Sequence, residues 1–147
     1  MTDIQAKPEY QAPRGQQTEA SVSRRVKILI VDDCHDVADA LAMLIQLESC
    51  DVRVAYDGLD GLAVAKCFAP DIVFLDLQMP GMDGYGVARA LRQTQSRQPY
   101  LVAHSALGAP QDTAKARAAG FDQYLRKPID EATLFVVLRE RRSGRSL

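Results

Sequence analysis

Val26-Lys27-Ile28-Leu29-Ile30-Val31-Asp32-Asp33 decides the fold: an apolar run of strand length that stops on two carboxylates. Near-continuous apolarity of that kind suits a strand buried on both faces, as in a parallel sheet. The pattern after it alternates. Val37, Ala40, Leu41, Leu44 and Ile45 recur at helical spacing and predict an amphipathic helix over about residues 36–48. Val52–Tyr56 reads as a second strand, and Asp57 as the cap of a helix that Pro70 ends after Phe68. Asp71-Ile72-Val73-Phe74-Leu75 is a third buried strand, running into Asp76. Asp83 caps a helix from Gly84 to about Gln93, and Tyr100–Ser105 is a fourth strand. Pro110 opens and Gly120 closes the next helix, Phe121–Leu125 is a fifth strand, and Asp130–Arg141 a last helix. Strands alternating with helices in this way predict an α/β fold, a parallel sheet with right-handed crossovers.

Composition narrows the class. The 147 residues fit one domain, with 47% hydrophobic and 25% charged residues, the balance of a globular protein. Net charge is −1, so the overall field does not favour nucleic acid or an anionic membrane. No apolar stretch approaches the roughly 18 residues of a membrane span, and the N-terminus lacks the apolar centre of a secretory signal. Cys34, Cys50 and Cys67, odd in number and without Cys-x-x-Cys spacing, read as reduced thiols of a cytoplasmic protein. Residues 1–25 carry Pro8, Pro13 and Gly15 without apolar periodicity and read as a flexible tail; 142–147 read as a short basic one.

In an open parallel sheet, ligands bind beyond the carboxyl ends of the strands, where strand order reverses. The residues at those ends are Asp32 and Asp33, Asp76, Ser105 and Lys127. If the first and third strands are neighbours, three carboxylates meet within a few ångströms, which is unfavourable unless a cation or protons relieve them. Carboxylate oxygens without His or Cys partners favour Mg²⁺, or Mn²⁺, over zinc. Taken singly, each residue has a plainer reading as a cap or a solvated strand end. Caps, however, have no reason to gather at one sheet edge.

Asp32-Asp33, the segment Leu75-Asp76-Leu77-Gln78-Met79-Pro80-Gly81-Met82-Asp83-Gly84, Ser105, and Lys127-Pro128 together resemble the receiver domain of two-component response regulators. The resemblance covers about residues 26–141 and implies a flavodoxin-like, doubly wound five-stranded sheet in order 2-1-3-4-5 with five helices. It implies Asp76 as phospho-acceptor, with Mg²⁺ held by Asp33, Asp76 and the Gln78 backbone carbonyl and assisted through water by Asp32. Ser105 becomes the switch hydroxyl, Tyr124 the switch aromatic, and Lys127 the phosphate-pairing amine before a cis Pro128. Its partners would be a histidine kinase or histidine phosphotransfer protein and an unidentified downstream protein, with the chain a monomer or a phosphorylation-linked dimer. Receivers attached to hybrid kinases share features around Asp33, Gly81–Arg92 and Leu101–Lys127.

Three other readings carry less. An aspartate-nucleophile phosphohydrolase has a second aspartate two residues after the nucleophile, where this chain has Gln78. A dinucleotide fold needs a glycine-rich first turn, yet no glycine lies between Gly15 and Gly58. A phosphorylation-independent scaffold would have lost an acidic or lysine position, and none is lost. Only Ser143–Leu147 follow the last helix, so the expectation is a stand-alone receiver acting through protein contacts or as a phosphorelay intermediate.

Some residues depart from the family. His104 stands where an aliphatic residue is usual, and alternation with Ser105 turns it away from the pocket, under a helix, as a hydrogen-bonded core histidine. Cys34 reads as an inert small side chain and His35 as a rim residue. Leu134-Phe135-Val136-Val137-Leu138 is too wide a run for one core-facing stripe. Leu134, Val137 and Leu138 take the core side, leaving Val136 and Phe135 exposed beside Tyr124 as an output face. The helix after Pro110 offers only alanines as anchors and should pack weakly. Arg139, Arg141, Arg142 and Arg145 complement a helix C-terminus rather than mark a nucleic-acid site.

Overall fold

Successive residues of a strand face opposite sides of its sheet, and the opening run Lys27–Val31 (β1) uses both. Ile28 and Ile30 enter one apolar cluster, Leu29 and Val31 the other, and all four are fully buried. The computed structural model describes residues 24–142. The rest of the two tails, 1–23 and 143–147, lies outside the described residues.

After β1 come α1 (His35–Gln46), β2 (Asp51–Ala55), α2 (Gly58–Phe68), β3 (Ile72–Asp76) and α3 (Gly84–Thr94). They are followed by β4 (Tyr100–Ser105), α4 (Pro110–Ala119), β5 (Gln123–Arg126) and α5 (Glu131–Arg142). All pairings are parallel, and the order is β2-β1-β3-β4-β5, as the resemblance implied. Strand order therefore reverses between β1 and β3, which sets their carboxyl ends side by side.

Local chemistry fixes the boundaries. Asp57 accepts from the Asp60 N–H at 2.8 Å and Asp83 from the Gly86 N–H at 2.9 Å, each capping its helix. Gly120 closes α4 at φ 110°, the left-handed conformation that glycine adopts without penalty. The fifth strand starts at Gln123, not at Phe121 as the sequence predicts. Phe121 leaves the Gly120 turn into the core instead. The Asp122 carboxylate accepts from the Leu101 N–H (2.8 Å) and pairs with Arg92 (2.7 Å), which consumes the residues before the ladder.

Helices α1 and α5 cover one face of the sheet through Leu41, Ile45, Leu134, Val137 and Leu138, packed on Ile28, Ile30, Phe74 and Val102. Helices α2, α3 and α4 cover the other. Burying one such aliphatic side chain is worth about 1.5–3 kcal/mol. Helix α4 buries only Ala116 and Ala119. At the opposite end of the sheet from the acidic residues, Asp71 accepts from the Lys27 N–H at 2.8 Å and pairs with Arg24 and Arg97, closing the amino edge.

Candidate functional site

Parallel register carries β1 and β3 to the same height, so both strands deliver carboxylates to one point. Oxygens of Asp32, Asp33 and Asp76 all lie within 4.8 Å of one another. Asp32 is fully buried and Asp76 only 4% exposed, while Asp33 is open to solvent. Lys127 follows β5 and reaches across the pocket. Its Nζ lies 2.9 Å from Asp32 Oδ2 and 3.5 Å from Asp76 Oδ1. The Lys127–Pro128 peptide is cis, and the Lys127 N–H donates to the Ser105 carbonyl at 2.8 Å. The Cys34 N–H donates to Asp32 Oδ1 (2.9 Å), and the Gln78 N–H to Asp76 Oδ1 (3.3 Å).

Beneath the loop that follows β3 sits Gly84. A Cβ there would collide with the Asp76 carbonyl and crowd Leu77 at 2.8 Å. Glycine is therefore required for α3 to start this close to the end of β3.

The electrostatics separate the two buried carboxylates. Burial and the neighbouring Asp32 charge push Asp76 up to about 6. Burial also acts to raise Asp32, but the Lys127 ammonium and the Cys34 N–H outweigh it and hold that carboxyl below its ordinary value. Lys127 is raised despite burial, because both carboxylates favour its charge. Three oxygen ligands, a single ammonium and no thiolate or imidazole ligand among them suit a small hard cation. Asp32, Asp33 and Asp76 are the residues that would hold it.

Ser105 ends β4 fully buried, and its Oγ accepts from the Leu107 N–H at 3.1 Å. Tyr124 donates its hydroxyl to the Leu107 carbonyl at 2.5 Å. The β4–α4 loop is thus held from both sides through one residue that the sequence did not single out. Leu107 carries no polar side chain, so its backbone role leaves no mark in the sequence.

Two sequence expectations need correction. His104 is buried on the α1/α5 side, edge-on to Phe74, but it is not turned away from the pocket: its Nε2 lies 3.7 Å from Asp32 Oδ2. Alternation gives the face of the sheet but not how far a long ring reaches along it. Phe135 is half-buried among the α1/α5 apolar residues, whereas Tyr124 packs on the other cluster, so the two do not share an exposed face. Val136 is 48% exposed. Arg141 is buried with its guanidinium over the Tyr100 ring at 4.0 Å, so it is a packing residue. At the rim His35 stacks on Tyr56, whose hydroxyl donates to Asp39 at 2.6 Å, and Cys34 is exposed.

A doubly wound parallel sheet with an acidic pocket at its switch point, closed by a lysine before a cis-proline, defines a class of phosphate-handling switch. Residues 28–139 match the response regulator receiver domain, and the chain belongs to that family. Protein PilG of Pseudomonas aeruginosa is 30% identical over 115 residues, 78% of this chain and 85% of that protein. The transcriptional regulator RpaA of Synechocystis is 35% identical over 115 residues, but the chain covers only 47% of its length. Among solved structures, the Vibrio cholerae chemotaxis protein CheY4 superposes with a TM-score of 0.75 at 27% identity, over 80% of this chain and 98% of that one. A receiver domain from Bermanella marisrubri gives 0.70 at 32% identity, over 80% and 98%. Among the described residues no helix is long and apolar enough to cross a membrane.

Proposed function

We propose that Asp76 accepts a phosphoryl group from the phosphohistidine of a histidine kinase or histidine phosphotransfer protein, and that the chain signals through phosphorylation-dependent protein contacts. The observation that carries this reading is Asp76 itself. It is buried at the switch point, with Asp32 and Asp33 beside it and the Lys127 ammonium 3.5 Å away. An oxygen of the ionised Asp76 attacks phosphorus as the P–N bond of the donor breaks. The bond electrons return to the imidazole nitrogen, which takes up a proton, and an acyl phosphate remains on Asp76. Lys127 moves from the carboxylates to the transferred oxygens, and the Ser105 hydroxyl turns from Leu107 to donate one hydrogen bond to them. Asp33, Asp76 and the Gln78 carbonyl, with Asp32 through water, would hold a divalent cation, Mg²⁺ by the donor set, which would supply positive charge for the transfer and favour the ionised form of Asp76. When Ser105 releases Leu107, the Tyr124 hydroxyl loses its fixed acceptor, and the loop leading into α4 is free to repack.

The test is intact-mass measurement after incubation with acetyl phosphate and Mg²⁺. A single base-labile phosphate on the wild type, absent with a chelator and absent in Asp76→Asn, is expected. The same phosphate on Asp76→Asn would remove the assignment.

A further inference from the structure

We propose that His104 is a positioning residue of the phosphoryl pocket: its Nε2–H is the donor that takes hold of Asp32 when Lys127 leaves Asp32 for the phosphoryl group. The inference rests on the function proposed above and adds to it a residue for which the receiver chemistry itself has no need.

In the resting pocket, Asp32 Oδ2 lies between two groups. Lys127 Nζ is 2.9 Å away on one side and His104 Nε2 is 3.7 Å away on the other. Both Asp32 and His104 are shut off from solvent, with side chains 0% and 1% exposed. Nε2 makes no hydrogen bond at all. A buried nitrogen without a partner carries a desolvation penalty that an aliphatic side chain at the same position would avoid. On the same face the ring stands edge-on to Phe74, at 6.5 Å between centroids. The Val31 backbone is within reach of the ring, which leaves Nε2 as the edge without a partner in the resting state.

The phosphorylated state supplies the partner. One ammonium bridges two carboxylates in the resting pocket, and the phosphoryl oxygens would draw it off Asp32 toward Asp76. Asp32 Oδ2 would then be a buried anionic oxygen whose one remaining protein neighbour is the imidazole, besides any water of the cation. Closing 3.7 Å to an ordinary N–H···O distance of about 2.9 Å takes a small tilt of the ring. His104 has room for it, because the ring borders a cavity of about 430 Å³ between α1 and the Pro128–Ile129 turn. A hydrogen bond to a charged acceptor is among the stronger ones, and this one would exist only after transfer, so it favours the phosphorylated form.

The experiment compares wild type, His104→Leu and His104→Gln, each as the full chain, for acetyl phosphate labelling rate, steady-state phosphorylation, and Mg²⁺ affinity before phosphorylation. In His104→Leu the phosphorylated fraction at fixed acetyl phosphate should fall by about tenfold, the effect of stranding one buried charged acceptor. Mg²⁺ affinity of the resting form, where Lys127 still holds Asp32, should stay within about twofold, and His104→Gln, which keeps a donor, should recover most of the labelling. Nitrogen NMR of the wild-type imidazole with beryllofluoride and Mg²⁺ supplies a readout that needs no variant: the proton should sit on Nε2 with a hydrogen-bonded shift. A wild type that labels normally, with His104→Leu labelling equally or with the proton on Nδ1, overturns the inference. A wild type that takes no phosphate overturns the proposed function instead.

Discussion

Helices α4 and α5 flank the same edge strand, β5, yet they are held in different ways. Helix α5 buries Leu134, Val137 and Leu138, each no more than 2% exposed, against Ile28, Phe74 and Val102. Helix α4 buries Ala116 and Ala119 and nothing larger. Apolar burial scales with area, so the first helix is an anchor and the second rests on the sheet by two methyl groups. The weakly held helix is also the one joined to the acidic pocket, through Ser105, Leu107 and the Tyr124 hydroxyl. A helix held so lightly costs little to move, whereas the anchored α5 does not.

Substitutions at the two helices should separate them most. Leu134→Ala, a full-size cavity in the α5 anchor, is expected to cost about 3 kcal/mol in denaturant unfolding. Gly84→Ala should rival it, because the added methyl meets the Asp76 backbone rather than a flexible side chain. Ala116→Gly in α4 should cost only about 1 kcal/mol, mostly from helix propensity. Equal costs for Leu134→Ala and Ala116→Gly would erase the contrast.

The pocket contributes a second, pH-dependent separation. Asp76 is raised from 3.8 to about 6, so the folded protein binds this proton more tightly than the unfolded chain. Without divalent cation, stability from Asp76 therefore falls as pH rises through that window. His104 is lowered from 6.5 to about 4, so its contribution runs the other way and is lost as pH falls from 6.5. Asp76→Asn should then stabilise the chelator-treated protein by up to about 3 kcal/mol at neutral pH. It should also leave a melting temperature that climbs with pH between 4 and 6.5. An unchanged or lowered stability in Asp76→Asn would show that the carboxylate is not strained by its surroundings.

Val136 marks the smallest effect on stability. It is 48% exposed, and Val136→Asp should change unfolding by less than about 0.5 kcal/mol. If Val136 belongs to an output face, the same change should abolish phosphorylation-linked dimerisation or partner binding. Full retention of both would remove Val136 from that face.

The sheet order and the gathering of Asp32, Asp33, Asp76, Ser105 and Lys127 were legible in the sequence because each depends on a short apolar run and the residue that ends it. Chain topology then sets those ends together without any side chain having to be placed. What was not legible depends on reach and on backbone atoms. The His104 ring extends along its face to Asp32, Leu107 acts through its N–H and carbonyl, and Phe135 turns into the α1/α5 cluster rather than out beside Tyr124. The early start expected for β5 failed for a related reason. Phe121 looked like a strand residue by composition, but the left-handed Gly120 turn and the Asp122 bonds to Leu101 and Arg92 fixed its backbone first.

Amide NMR of the full chain with and without beryllofluoride and Mg²⁺ tests most directly whether pocket chemistry reaches the weakly anchored helix. Large shift changes are expected at Asp33 and Asp76–Gln78, and again across Ser105–Ala119 and at Tyr124, while the buried Leu134, Val137 and Leu138 of α5 stay nearly fixed. Changes confined to the pocket residues, with α4 as still as α5, would contradict the account.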